Sequence, residues 1–168
     1  VVANYLQASY SQQTEQVWED PETAPGNDVV RLNRVSVRPA DPAGDGRITV
    51  RTPLRIEFDY WVRESEAYVQ PSLSLFNSQG IQILSALDPE LPDWRGTQLE
   101  AGLYRESCSI PGDLLNSGLH RIGFRVLIDG EDEWRANDLL VFDVLEDGEF
   151  RAAWYEEWEG VIRPLLPW

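Results

Sequence analysis

The side chains best suited to chemistry sit on every second position of a few short segments. In PLRIEFDYWV (53–62) Arg55, Glu57, Asp59 and Trp61 share one parity, and Leu54, Ile56, Phe58, Tyr60 and Val62 share the other. In GLHRIGFRVLIDG (118–130) Arg121, Gly123 and Arg125 alternate with His120, Ile122, Phe124, Val126 and Ile128, with Leu127 breaking the polar parity. Phe76 shares its parity with Ser72 and Ser74, against Leu73 and Leu75. Period-two alternation describes a sheet with one face in a core and the other in water. An aromatic ring among planar polar groups on a wet face is the equipment for holding a sugar: the ring stacks on C–H surfaces, and Arg, Asp and Glu bond hydroxyls. Trp134, in the acidic run EDEWRAND (131–138), and Trp94, in DPELPDWRG (88–96), fall in expected loops, where binding residues gather. Each has a competing structural reading. Trp61 could pack beneath a loop or in a dimer contact, Trp94 and Trp134 could serve packing, and the Arg rows could pair with Glu57 and Asp59, each pair contributing under about 1 kcal/mol.

Composition excludes several other chemistries. All 14 bases are Arg, so no lysine Schiff base and no phosphate-loop lysine can form. The single Cys108 and single His120 cannot build a structural zinc site, and no G-x-S-x-G occurs. Cys108 reads as a buried strand thiol and His120 as a packed or rim residue rather than a catalytic base. No metal site and no cofactor is expected. The net charge of −15, from 29 acids, argues against nucleic acid and against an anionic membrane surface. It also makes a strongly anionic polymer an uncomfortable ligand unless the Arg rows offset it locally. No apolar run approaches the roughly 20 residues of a membrane helix. Two alternatives stay open. The acidic loops DPAGDG (41–46) and DGEDEWRAND (129–138) suggest a calcium-dependent extracellular carbohydrate-binding module, although neither has a recognisable ligand register. A glycoside hydrolase would need two carboxylates about 5 to 9.5 Å apart across a cleft.

The elements that must position these residues are strands. Residues 1–12 can form a short helix, and Gln13 to Asn27, with Pro21, Pro25 and Gly26, reads as a linker, which puts the domain at 28–168. Strands are expected over VVRLNRVSV (29–37), RITVRT (47–52), PLRIEFDYWV, PSLSLFN (71–77), IQILSAL (81–87), TQLEAGLYRESCSI (97–110), LHRIGFRVLI and LLVFDVLED (139–147), with Pro53 marking a bulge or edge. FRAAWYEEW (150–158) reads as a helical turn or irregular segment. Seven to nine short strands with evenly spaced turns predict an all-β, immunoglobulin-like antiparallel β-sandwich.

The ordered series VVRLNRVSV, PLRIEFDYWV, PSLSLFNSQGIQI, GLYRESCSIPGDLLNSGLHRIGFRV, NDLLVFDV and GVIRPLLPW resembles the C-terminal carbohydrate-binding domain of Wzt-type proteins, the ATP-binding subunits of ABC exporters of O-antigen and related polysaccharides. The likeness covers about residues 28 to 168, and Val1 to Gln12 resembles the exit from the nucleotide-binding domain of such proteins. Leu119-His120 departs from it where a tyrosine is expected, and residues 146–159 are idiosyncratic. The resemblance implies a non-catalytic domain that binds the exported polysaccharide in the cytoplasm, held at the inner membrane through the membrane-spanning transporter subunit. It also implies a homodimer, with the terminal GVIRPLLPW as a strand that could be exchanged between protomers. The residues expected to carry the sugar contact are Arg55, Glu57, Asp59, Trp61, Phe76, Arg121, Arg125 and Trp134.

Overall fold

The computed structural model describes residues 12–88, 90, 93–148 and 159–164. Among these residues nine strands follow in chain order: β1 (Glu15–Val17), β2 (Val30–Pro39), β3 (Leu54–Val62), β4 (Ala67–Asn77), β5 (Gln82–Leu87), β6 (Thr97–Leu99), β7 (Gly102–Ile110), β8 (Gly118–Ile128) and β9 (Asp132–Val144). They pair antiparallel in two sheets, one in the order β1-β2-β3-β7 and one in the order β5-β4-β8-β9, with β6 also on β4. The result is the expected antiparallel β-sandwich. The proposed N-terminal helix (1–12) and the irregular segment at 150–158 lie outside the described residues, apart from Gln12.

Alternation builds the core. Val35, Val37, Ile56, Phe58 and Tyr60 from one sheet meet Val69, Leu73, Leu75, Ile122, Phe124, Val126 and Phe142 from the other, all almost fully buried. Phe124 anchors the contact: its ring lies 4.8 Å from Phe58, 6.0 Å from Tyr60 and 6.4 Å from Trp134. In β2 the pairing shifts between Leu32 and Arg34, a bulge that explains why Leu32 and Val35, three residues apart, both point inward. A second irregularity places Ile122 opposite Leu140 but Phe124 opposite Ala136, so β9 carries extra residues beside Gly123.

Several local expectations change. Gln13 to Asn27 is part of the sandwich rather than a linker ahead of residue 28. Glu15–Val17 pairs with β2, Gln13 exchanges backbone hydrogen bonds with Val141 of the other sheet, and Ala24 is buried. Residues 47–52 make a turn with a single bridge from Thr49 to Leu145 instead of a strand. The stretch 97–110 breaks at Glu100-Ala101 into β6 and β7, and each lies in a different sheet. Trp134 belongs to β9 rather than a loop. In the terminal segment Ile162 bridges Leu115, and the Arg163 N–H donates to the Leu114 carbonyl at 2.8 Å. Ile162 and Arg163 thereby lie on the IPGDLLNSG connection of the same chain.

Candidate functional site

The outer face of the β1-β2-β3-β7 sheet is a lattice of charge. Cross-strand register lines up Arg38, Arg55 and Ser109; then Glu15, Ser36, Glu57 and Ser107; then Val17, Arg34, Asp59 and Arg105; then Arg31, Trp61 and Leu103. The parity read from β3 is therefore correct, and its four polar-face residues share one surface. Glu57 and Asp59, at its centre, are 7% and 5% exposed because guanidinium groups roof them. Asp59 accepts from Arg105 Nε at 2.6 Å and Nη2 at 2.7 Å, a bidentate fork. Glu57 accepts from Arg55 Nε at 3.0 Å and lies 3.4 Å from Arg38 Nη2. Arg34 bonds Glu15 and lies 3.9 Å from both Glu57 and Asp59. The Asp59 carboxylate holds the Arg105 guanidinium still more firmly protonated, chiefly through their hydrogen bonds.

Burying two carboxylates is costly unless they are paired, and here the pairing also orients the arginines. At the end of the lattice the half-buried Trp61 stands beside Leu103, which is 58% exposed, and together they form an apolar shelf next to the charges. Among the described residues, the two buried side-chain polar atoms without a hydrogen-bond partner, Arg31 Nε and Ser36 Oγ, both belong to this face.

The remaining expected residues lie elsewhere. Phe76, Arg121 and Arg125 are on the outer face of the other sheet, across the core from Trp61. Phe76 is opposite Arg121 and its ring covers Gly123, where an added Cβ would come within 3.2 Å of a ring carbon. Arg121 pairs with Asp138 at 2.8 Å, and Arg125 with Glu133 at 2.6 Å, so the expected pairing of these arginines with Glu57 and Asp59 does not occur. Trp134 points inward and packs against the core beside Phe124. The eight residues thus divide into one surface cluster of four, a second surface trio and an interior tryptophan. Trp94, read as a packing residue, is 71% exposed.

Sequence reasoning missed Arg34, Arg38, Arg105 and Leu103. The β2 bulge switches the inward parity from Val30 and Leu32 to Val35 and Val37, so a parity carried on from the start of the strand points Arg34 and Arg38 inward. In β7 the inward set includes Glu106 and Cys108, which obscures the alternation that places Arg105 outward.

A cleft of about 310 Å³ opens between the sheet edges, lined by Phe58, Leu73, Phe124, Leu87, Glu106 and Cys108 among others. Burial, and then the nearby Asp88, raises the Glu106 pKa above the usual carboxylate range, and burial raises that of the Cys108 thiol. His120 is buried, stacks on Phe142 with ring centres 5.6 Å apart, and has its pKa lowered by that burial, against its 2.9 Å contact with the Gly118 carbonyl. Glu57 and Asp59 spend their lone pairs on guanidinium groups, an arrangement that orients donors rather than delivering protons. Among the described residues no group of three or more His, Cys, Asp or Glu side chains could hold a metal ion.

No family model matches the chain, and no curated protein does. Among solved structures, the C-terminal domain of Wzt matches with a TM-score of 0.64 at 15% identity, covering 86% of this chain and 85% of that one. A structure described as ApaA from Bordetella pertussis matches with a TM-score of only 0.36 at 10% identity, over 73% of this chain and 96% of that one. The resemblance read from the strand series is met at the level of the fold, which this chain shares with the Wzt domain.

Proposed function

We propose that this domain is the non-catalytic glycan-recognition module of an ABC polysaccharide exporter, attached to the ATP-binding subunit. On this reading it works in the cytoplasm, as a dimer, next to the membrane-spanning subunit, and an O-antigen-like chain is its ligand. The observation that carries the reading is the outer face of the four-stranded sheet. There a tryptophan and an exposed leucine adjoin a guanidinium–carboxylate lattice, on a fold shared with the C-terminal domain of Wzt. A flat sheet face with one aromatic shelf and many fixed donors and acceptors suits an extended, hydroxyl-rich polymer.

The test is calorimetric titration with the polysaccharide made by the producing strain. Saturable binding is expected, and Trp61→Ala should weaken it about tenfold or more with little change in melting temperature. Lost stability with unchanged affinity would place Trp61 in a structural role, and no saturable binding by the native chain would overturn the reading. Light scattering should give twice the mass of one chain; a monomer would remove the dimer and, with it, any exchange of residues 160–168.

A further inference from the structure

The charge on the candidate face runs opposite to that of the molecule. The whole chain has 29 acids for 14 bases, yet among the described residues of this face Arg31, Arg34, Arg38, Arg55 and Arg105 meet Glu15, Asp28, Glu57 and Asp59. Five guanidinium groups against four carboxylates leave an excess of one positive charge. At physiological salt, charges separated by more than about 8 Å are largely screened, so a bound ligand feels this local balance rather than the net −15.

The arginines are also presented rather than buried. Arg105 spends Nε and Nη2 on Asp59 and keeps Nη1, and its side chain is 60% exposed. Arg55 donates Nε to Glu57 and reaches the Ser107 hydroxyl with Nη2 at 3.4 Å, with its side chain 46% exposed. Ser107 and Arg105 are alternate residues of β7 on the same face, about 7 Å apart along the strand. The Arg55 guanidinium thus reaches this hydroxyl, Arg105 stands at the next outward position of the same strand, and each guanidinium is bonded to a buried carboxylate. A network serving stability alone would close its donors on its own acceptors. This one leaves planar N–H edges open, the geometry that receives carboxylate or phosphate oxygens.

We propose that the glycan bound here carries an anionic group, a carboxylate as in a uronic acid or a phosphate ester, which Arg105 and Arg55 bind on either side of Ser107. The inference rests on the glycan-binding reading and deepens it by naming the ligand's charge. Asp59 and Glu57 act as positioning residues that hold the two forks.

The experiment follows the arginine Nε–Hε resonances of the full chain by NMR during titration with glucuronate, glucose 6-phosphate and glucose. At least one anionic sugar should bind roughly tenfold more tightly than glucose, shift the Arg105 and Arg55 signals, and weaken as salt rises. Whether glucuronate or the phosphate is preferred names the group. Arg105→Gln and Arg55→Gln should each abolish the preference. If neither anion binds better than glucose, or if both variants keep the preference, the proposal is overturned. Binding of the native polysaccharide without any preference for anions would sink this inference and leave the glycan reading standing. Anion preference at Arg105 and Arg55 in a protein that fails to bind that polysaccharide would do the reverse.

Discussion

His120 makes the pH dependence of stability predictable, because it is the chain's single histidine and there is no lysine. The residue is 3% exposed, and its ring is stacked on Phe142. Burial lowers its pKa below the ordinary value, and the Gly118 carbonyl and the Asp143 charge offset only part of this. The unfolded chain, with a histidine pKa near 6.5, therefore takes up the proton before the native state does. The stability held by the neutral ring is fully present above about pH 6.5 and is lost as pH falls toward the folded pKa. The loss can reach about 1.4 kcal/mol per pH unit, the limit for one proton. Glu106 works with the opposite sign: its folded pKa is raised, so the native state gains relative stability as pH falls through that value.

The comparison that isolates His120 is wild type against His120→Gln, in which Glu106 and the other titrating groups cancel. Urea unfolding at pH 7.5, 6.5 and 5.5, followed by tryptophan fluorescence, reads the effect. With a urea slope of about 2 kcal/mol per molar, the wild-type midpoint should fall by up to about 0.7 M per pH unit relative to the variant below pH 6.5. His120→Gln should itself cost about 1 kcal/mol at pH 7.5 through lost packing on Phe142. Glycan binding should not change, since His120 faces the core. Parallel midpoint curves for the two proteins would refute the assignment of a depressed histidine.

Two further outcomes test the fold. Phe124→Ala removes the ring that Phe58, Tyr60 and Trp134 share, and should cost about 3–5 kcal/mol in chemical denaturation; a loss under about 1 kcal/mol would show that the sheets are not joined there. At Gly96 φ is +108° and an added Cβ would stand 2.2 Å from the Val69 carbonyl oxygen, whereas at Gly44 the nearest atom is 3.7 Å away. Gly96→Ala should therefore lower stability by at least about 1–3 kcal/mol, and Gly44→Ala should stay within about 0.5 kcal/mol of wild type; equal melting temperatures for the two variants would contradict the tight turn.

Alternation is a local property, so the sequence by itself determined which way most strand residues face. Arg55, Glu57, Asp59 and Trp61 were legible as one wet row, and Phe124, Ile122 and Val126 as core, because successive side chains of a strand point to opposite faces. Turn residues such as Asn77 to Gly80 and the Ser117-Gly118 pair marked the strand ends, because Gly takes a positive φ and the Asn77 side chain accepts from nearby backbone N–H groups. Which strands become neighbours is decided by long-range packing. Only the tertiary structure put Arg105 of β7 beside Asp59 and sent Arg121 and Arg125 to the opposite sheet. It also drew Glu15–Val17 out of an apparent linker into β1. Bulges did the rest: the register shift in β2 hid Arg34 and Arg38 from a parity reading, and the run of acids around Trp134 disguised a residue that pairing with β8 turns inward. The polar row of β3 was written in ten consecutive residues. The arginines that make it a site come from β2 and β7, and no period along the chain encodes that meeting.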